Sequence, residues 1–331
     1  MARSLSTPAV RRAWLGQLLA LALSSSLCGA ALAQADKPLK ITVGFPPGTG
    51  PDVVARTVAQ KLGEGLKQNV LVDNKAGAGG QIAAQTVAKG VADGSSLLLG
   101  EVGSISIAPA AFSKLPYDPL KEFVAVAEVV RSDFVLVVPS QSPAATVADF
   151  VKAAKARADK TNFGTFGAGT PGHFGAEVFA DLAGFKVESI HYRATGDAIT
   201  AIIAGDVQAA FVSTALAVAQ VKGGKMRALA TTAKERSPLL PEVPTFTEAG
   251  HPKADFSAWF ALLAPAATPA ATLDALNRQA VAALQSPDLK QKLLEAGFSV
   301  STGPRADAQA LLQREAQRWA AVVRQTGFKG D

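Results

Sequence analysis

The residues best suited to hold a ligand lie in a turn rich in proline and glycine, at positions 45–50 of the segment VGFPPGTGPDVVAR. Proline fixes φ and glycine removes the Cβ clash, so this turn is stiff and lets another molecule approach its backbone. We expect Gly50 to be the N-cap and Pro51 the first residue of a helix, which leaves the first N–H groups of that helix without partners. Unpaired donors at the positive end of a helix dipole favour an anion. The turn therefore predicts an anion site.

Two further glycine-rich turns also follow strand patterns and open helices. One runs from Asn74 to Gly80 and the other from Gly164 to His173. In open α/β sheets ligands bind beyond the carboxyl ends of the strands, so the first two turns can face one crevice. Two interpretations of His173 stay open, a ligand-site role and a helix-start residue that caps or packs locally.

Other chemistry finds no support in the motifs. A dinucleotide fingerprint that begins at Gly77 needs a third glycine at the position of Ile82, and the phosphate-binding pattern G-x-x-x-x-G-K-[ST] is absent. The motifs G-x-S-x-G and H-E-x-x-H are absent as well, and the three histidines lack metal-ligand spacing. We therefore predict no cofactor, no metal and no enzymatic activity.

Strand-like and helix-like patterns alternate along the chain, which is typical of the α/β class with helices on both faces of a sheet. Thr146 and Asp149 predict a capping box for a helix through residue 158. Near the carboxyl terminus, Thr268 and Ser286 are predicted N-caps before prolines, and Gly297 is a predicted helix stop. The predicted strands are 39–45, 69–72, 97–99, 134–138, 162–166, 187–190, 207–212, 226–230 and 256–264.

The first 33 residues have the three parts of a secretory signal peptide, with a cleavage site after Ala33. A membrane anchor is the alternative, but the apolar stretch is short for a span and no stop-transfer charges follow it. Lipid attachment at Cys28 and twin-arginine export are further possibilities that leave the fold unchanged. Cleavage removes the one cysteine and three arginines, which lowers the formal net charge from +6 to +3. Because basic residues form no cluster, we predict no nucleic-acid partner.

Six segments in order carry a resemblance to a known family: FPPGTGPDVVAR, VDNKAGAGG, LPYDPLKEF, GTFGAGTPGHFGAE, HYRATGDA and AWFALLAPAATP. Together they resemble the Bug family, the extracytoplasmic solute receptors of tripartite tricarboxylate-type transporters. The resemblance implies a type II periplasmic-binding-protein fold in which two α/β domains close on a ligand. It places the first domain at 35–138 plus 258–331 and the second at 139–257. It also implies a small organic carboxylate as ligand, held mainly by backbone amides and ordered water.

The same resemblance implies which residues line the ligand cleft. They are Phe45, Pro47, Gly48, Thr49, Asp52, Ala78, Gly79, Gly80, Ser104 and Ser106 in the first domain, and Thr165, Gly167, Thr170, His173, Tyr192 and Asp197 in the second.

Some of these residues have a plain structural alternative. The helix dipole alone favours Asp52 in a first helical turn. Ser104 and Ser106 can satisfy backbone groups at a strand end, and Tyr117 with Asp118 is typical of a turn. Arg193 could pair with a second carboxylate of the ligand or be a solvated rim charge.

The sequence departs from the family pattern at Thr49, Ala194 and Ala210, all around the expected pocket, so the identity of the ligand stays open.

The resulting interpretation is a periplasmic, monomeric binding protein that delivers a carboxylate to the membrane subunits of a transporter. A periplasmic sensor subunit that signals to a membrane kinase is the alternative, and pull-down with a transporter subunit or a kinase ectodomain separates the two. An enzyme on the same frame is disfavoured, because no nucleophile and base pair can be named.

Overall fold

The computed structural model describes residues 38–192, 194–254 and 256–330. The predicted signal peptide and Arg193 lie outside the described residues. None of the helices within these ranges has both the length and the apolar character that a membrane span requires.

Strands and helices alternate through most of the described chain, which confirms the predicted α/β class. The strands are β1 (Leu39–Val43), β2 (Val70–Asn74), β3 (Ser96–Glu101), β4 (Phe123–Pro139), β5 (Thr161–Thr165), β6 (Val187–His191), β7 (Ala209–Ser213), β8 (Met226–Thr231), β9 (Ser257–Pro265) and β10 (Ser299–Val300). The helices are α1 (Gly50–Leu66), α2 (Gln81–Ala88), α3 (Ala108–Ala111), α4 (Pro119–Glu122), α5 (Val147–Ala156), α6 (Pro171–Ala183), α7 (Thr195–Ala204), α8 (Thr214–Lys222), α9 (Ala270–Gln285), α10 (Pro287–Glu295) and α11 (Arg305–Thr326).

The strands form one twisted sheet with the order β2-β1-β3-β9-β4-β7-β5-β6, and β8 and β10 also pair with β4. Strand β4 joins two groups of parallel strands, because it pairs with β9 up to Asp133 and with β7 from Phe134 onward. We call the elements on either side of this change the first lobe (β1–β3, β9, β10, residues 123–133 of β4, α1–α4, α9–α11) and the second lobe (residues 134–139 of β4, β5–β8, α5–α8). The predicted domain boundaries near residues 138 and 258 stay a prediction.

The register shows that both parallel groups end at the junction of the lobes. Strand β3 ends at Glu101, which is opposite Phe260, and Phe260 pairs with Val130 of β4. Strand β7 runs in the opposite direction and ends at Ser213, which is opposite Phe134. Four residues of β4, about 13 Å of strand, separate these two levels. The carboxyl ends of the two parallel groups therefore point toward one junction from opposite sides.

Alternation along the second half of β4 explains why the second lobe has two cores. Leu136 and Val138 pack into a phenylalanine-rich cluster on one face, whereas Val135 and Val137 pack into an aliphatic cluster on the other. Side chains of a strand alternate between faces, so an uninterrupted apolar run requires cover on both sides. The first lobe has one large core, and it also includes Phe174 from helix α6 of the second lobe.

Two helix ends confirm the sequence prediction. At the start of α5, the Thr146 hydroxyl accepts a hydrogen bond from the Asp149 N–H (3.1 Å), and the Asp149 carboxylate accepts one from the Thr146 N–H (3.0 Å). After α10, Gly297 adopts a φ of 82° and donates its N–H to the Leu294 carbonyl (2.8 Å). The left-handed conformation explains the glycine at this helix stop.

Two predicted N-caps are wrong by one residue. Helix α1 begins at Gly50 with Thr49 as the N-cap, and the Thr49 hydroxyl donates to the Pro46 carbonyl (2.7 Å) instead of capping. Helix α9 has Pro269 as its N-cap rather than Thr268. In both cases the N-cap has a non-helical backbone and makes no side-chain capping hydrogen bond.

Candidate functional site

The first glycine turn is braced from within by Asp52. This carboxylate is 3% exposed and accepts hydrogen bonds from the Gly48 N–H (2.8 Å), the Arg56 Nε (2.9 Å) and the Asn74 Nδ2 (2.8 Å). Asn74 also donates to the Phe45 carbonyl (3.0 Å). The structure therefore places Asp52 under the turn as a brace, with its oxygens occupied by protein donors. Sequence reasoning missed Asn74, which connects the first turn to the end of β2.

The environment of Asp52 keeps it ionised. Burial acts to raise its pKa, but the hydrogen bonds from Arg56, Gly48 and Asn74 outweigh burial and hold the pKa below its ordinary value of 3.8. The negative charge sits in the first turn of α1, where the helix dipole also favours it.

Backbone donors remain at this turn despite the brace. Among the residues that the structure describes, the N–H groups of Gly50 and Asp52 have no acceptor. Pro47 is exposed, and Phe45 and Thr49 are half-buried. The first turn thus presents N–H groups of the α1 terminus, as its composition predicted.

The second turn has an unusual backbone. Four consecutive residues adopt positive φ: Gly77 (134°), Ala78 (47°), Gly79 (58°) and Gly80 (88°). Within the described ranges, the N–H groups of Ala78 and Gly79 have no acceptor, whereas the Gly80 N–H donates to the Gly77 carbonyl (3.0 Å). A Cβ on Gly79 would meet no heavy atom within 4 Å. The turn therefore has two N–H groups without an acceptor among the described residues, beside an α-carbon that borders open space.

The first two turns touch through their glycines. A Cβ on Gly44 would lie 2.5 Å from the Gly80 α-carbon, so no other residue fits at Gly44 without moving the second turn. On its other side, Gly80 approaches Ser104, whose Cβ and Oγ would lie 3.4 Å from an added Cβ. The structure thus brings together three of the predicted segments of the first lobe.

The end of β3 carries a buried carboxylate that sequence reasoning missed. Glu101 is 7% exposed, and its two oxygens accept the N–H groups of Gly103 (2.7 Å) and Ser104 (2.6 Å). Burial raises its pKa above the ordinary value of 4.5, although both hydrogen bonds act in the opposite direction. The first N–H groups after the third strand are therefore already paired with the chain's own carboxylate. Its position at the end of an apolar strand pattern was the available signal.

Of the two predicted serines, Ser104 has protein partners and Ser106 does not. The Ser104 hydroxyl donates to the Glu101 carbonyl (3.3 Å), and the Ser104 carbonyl accepts the Tyr117 hydroxyl (2.7 Å). The Ser106 hydroxyl is buried, with no partner among the described residues. Tyr117 is buried with its hydroxyl tied to the site, so it supports Ser104, as its structural interpretation predicted.

In the second lobe, the third glycine turn is closed on itself. The Thr170 hydroxyl donates to the Gly167 carbonyl (2.8 Å) and accepts from the His173 N–H (3.4 Å), which makes it the N-cap of α6. The Thr165 hydroxyl lies 2.7 Å from Nδ1 of His191 at the end of β6. Thr165 and Thr170 thus each use the side-chain hydroxyl to bond a neighbouring group of the second lobe.

His173 lies inside the protein. Its Nδ1 accepts the Gly169 N–H (3.1 Å), and its ring packs edge-on against His191 with centroids 4.6 Å apart. Burial, and to a lesser extent His191, lowers the pKa of His173 to about 4, so the ring is neutral at physiological pH. The local-packing interpretation of His173 agrees with these contacts, and a ligand-site role stays a prediction.

A cavity of about 330 Å³ opens at the carboxyl ends of the second-lobe strands. The first residues of α6, Thr195 at the start of α7 and Ser213, the N-cap of α8, line it together. Apolar walls come from Phe134, Phe166, Phe211 and Leu216. Of the predicted residues only Thr170 lines this cavity. The lining phenylalanines were missed because apolar residues in a strand pattern indicate core and not a ligand site.

Tyr192 and Asp197 lie on the segment after β6, outside that cavity. The Tyr192 N–H donates to the Thr165 carbonyl (3.1 Å), and its ring reaches Gly164. Asp197 is exposed in the first turn of α7. Arg193, between them, belongs to the residues that are not described. Over the described ranges, no group of three or more His, Cys, Asp or Glu side chains could hold a metal ion.

Fold and site define a two-lobed solute-binding protein, in which the carboxyl ends of both groups of parallel strands point toward one junction. The chain belongs to the TctC family, because the family model described as "Tripartite tricarboxylate transporter family receptor" matches residues 54–328. This is a family of solute receptors, so the prediction of a binding protein rather than an enzyme is confirmed, and so is the resemblance to Bug receptors. BugT of Bordetella pertussis is 33% identical over 294 residues, which cover 88% of this chain and 90% of BugT.

Solved structures confirm the periplasmic-binding-protein fold. An R. palustris protein with adipate is 29% identical with a TM-score of 0.78, covering 89% of this chain and 98% of that chain. MatC from Rhodopseudomonas palustris with bound malate is 30% identical with a TM-score of 0.73, covering 86% and 98%. The periplasmic binding protein BugD is 27% identical with a TM-score of 0.74, covering 89% and 99%.

Proposed function

We propose that this chain is a periplasmic receptor that captures a small organic carboxylate at the junction of its lobes and delivers it to the membrane subunits of a tripartite tricarboxylate-type transporter. The observation that carries the proposal is the second turn, where the N–H groups of Ala78 and Gly79 have no acceptor among the described residues and Gly79 borders open space. Donors already fixed by the fold lose no rotamer entropy when they bind a ligand.

Backbone donors can supply the required affinity. A hydrogen bond to a charged group contributes about 1.5–3 kcal/mol, and micromolar binding needs about 8 kcal/mol net. The first turn adds the N–H groups of Gly50 and Asp52 at the start of α1, where the ionised Asp52 carboxylate already compensates the helix dipole. Four such contacts reach this range once water is excluded by closure of the lobes.

The relatives support the ligand class, because adipate and malate are both small carboxylates. The second-lobe cavity, with hydroxyls of Thr170, Thr195 and Ser213 beside phenylalanine rings, can accommodate the remainder of such a molecule. Ordered water can bridge those hydroxyls to the ligand.

We also propose that the protein is exported with cleavage after Ala33 and acts as a monomer. The composition of residues 1–33 and the periplasmic description of BugD support export. Intact mass checks the cleavage site, because cleavage there leaves Gln34 as the first residue and removes Cys28. A lipid on Cys28 would place the protein on a membrane surface instead.

A thermal-shift screen of mono-, di- and tricarboxylates, amino acids and aromatic acids tests the ligand class. A ligand at 100 times its Kd adds about 2.7 kcal/mol to the free energy of unfolding. For a chain of this size the unfolding midpoint should rise by about 5 °C or more. The carboxylate proposal fails if a sugar or a cation shifts the midpoint and no carboxylate does.

A further inference from the structure

The carboxyl-terminal end of the chain meets the second lobe through one aromatic side chain. Phe328 follows helix α11 of the first lobe and packs edge-on against two rings of helix α6, His173 (centroids 5.2 Å apart) and Phe174 (5.4 Å). Its ring also lies beside Gly169, because an added Cβ there would be 3.5 Å from the Phe328 ring. Phe328 therefore contacts both the third glycine turn and the first turn of α6.

Further contacts hold α6 and α11 together, and we call this contact surface between the two helices and Phe328 the seam. Phe174 is fully buried in the first-lobe core, with its ring 6.0 Å from Trp319 of α11. Gln325 of α11 donates to the Asp181 carboxylate of α6 (2.9 Å). The two helices thus share apolar packing and a polar contact across the lobes.

The segment that carries Phe328 is fixed on the first lobe. The Gly330 N–H donates to the Ala111 carbonyl of α3 (2.8 Å), and Gly330 lies against Phe112. The Phe328 N–H faces the Thr326 hydroxyl at 3.4 Å. A segment anchored on one lobe and packed on a turn of the other can set the position of that turn.

The contacts lead from Phe328 to residues that the family resemblance assigns to the ligand. The His173 ring under Phe328 accepts the Gly169 N–H, and the same ring packs on His191. His191 in turn lies 2.7 Å from the Thr165 hydroxyl. A change at Phe328 reaches Thr165 through two intervening rings.

We propose that Phe328 is a positioning residue for ligand binding. It holds the third glycine turn against the first lobe, so that the binding residues of the two lobes keep a fixed position relative to each other. The inference rests on the proposed function, because it gives the turn a ligand to receive.

Hydrogen exchange of the segment 164–175, with Phe328→Ala, Phe328→Leu and Val323→Ala variants, tests the inference. Loss of two aromatic contacts should speed exchange of this segment about tenfold or more in Phe328→Ala. Phe328→Leu keeps apolar contact with the turn and should restore slow exchange. Val323, in the last turn of helix α11 before Phe328 and buried in the first-lobe core, is the matched control. Its truncation should lower global stability and leave exchange of this segment unchanged.

Titration with malate gives the functional arm of the same experiment. We expect Phe328→Ala to weaken malate binding about tenfold, and Val323→Ala to leave it unchanged. The positioning role is overturned if exchange of 164–175 is the same in Phe328→Ala as in the unsubstituted protein, or if exchange rises while malate affinity is unchanged. If the unsubstituted protein binds no carboxylate, the proposed function fails. Hydrogen exchange of 164–175 still tests whether Phe328 holds the third glycine turn, because it needs no ligand.

Discussion

The Asn74 side chain donates a 2.8 Å hydrogen bond to the buried Asp52 carboxylate and so ties the end of β2 to the first turn of α1. We expect Asp52→Ala to lower the free energy of unfolding by about 1–3 kcal/mol, because the donors of Gly48, Arg56 and Asn74 lose a buried, charged acceptor. Urea unfolding measures this loss. Asp288 is the matched control, since it is also in a first helical turn but is exposed, with Lys61 as its partner. Equal losses for both variants would mean that the helix dipole, rather than the brace, explains Asp52.

Glu101 should make stability depend on pH in the opposite sense to an ordinary carboxylate. Its folded pKa lies above 4.5, so the contribution to stability is complete below pH 4.5 and is lost as the pH rises through the folded pKa. We expect the unfolding midpoint of the unsubstituted protein, measured relative to that of Glu101→Gln, to fall as the pH rises from 4.5 to 8. A pH-independent difference would show that Glu101 is ionised at its ordinary pKa.

His173 should destabilise the protein in mild acid. Its folded pKa of about 4 lies below the ordinary 6.5, so the contribution is complete above pH 6.5 and is lost as the pH falls toward 4. The loss is at most about 3.4 kcal/mol. Urea unfolding at pH 7.5, 6 and 4.5 should show this dependence in the unsubstituted protein and less of it in His173→Gln. A pH dependence that persists unchanged in the variant would assign it to other groups.

A structural feature could be predicted from the sequence when the residues that determine it lie within about one turn of each other. The capping box at Thr146 and the stop at Gly297 follow from residues within one turn, and both are confirmed. The glycine turns were found because positive φ and bare backbone leave a compositional trace. Glu101 was missed although its partners Gly103 and Ser104 are only two and three residues away, because an acidic residue after an apolar strand does not by itself indicate burial.

The contact between Phe174 and Phe328 could not be predicted from local sequence patterns at all. Phe174 has the pattern of a helix residue of its own lobe, yet it packs in the core of the other. Only the pairing of distant elements brings it beside Trp319. Contacts of this kind follow from topology, which local patterns do not determine.

Lys75 should contribute little to ligand binding although it lies within the second turn. Its side chain is 38% exposed and its ammonium group lies 3.7 Å from the Asp73 carboxylate, so its charge is screened and partly paired. We expect Lys75→Ala to weaken carboxylate binding by less than about tenfold. Calorimetric titration at low and high salt checks this, and a larger, salt-sensitive loss would mean that a side-chain charge holds the ligand.

The most direct test of the account compares two glycine variants by calorimetric titration with malate, adipate and the best carboxylate of the screen. Gly79 and Gly224 both have positive φ (58° and 66°), and a Cβ on either would meet nothing within 4 Å, so valine strains both backbones alike. Gly224, however, lies before β8, at the end of that strand away from the lobe junction. We expect micromolar binding by the unsubstituted protein and by Gly224→Val, and no detectable binding by Gly79→Val. Normal binding by Gly79→Val would contradict the central claim that the backbone of the second turn holds the carboxylate.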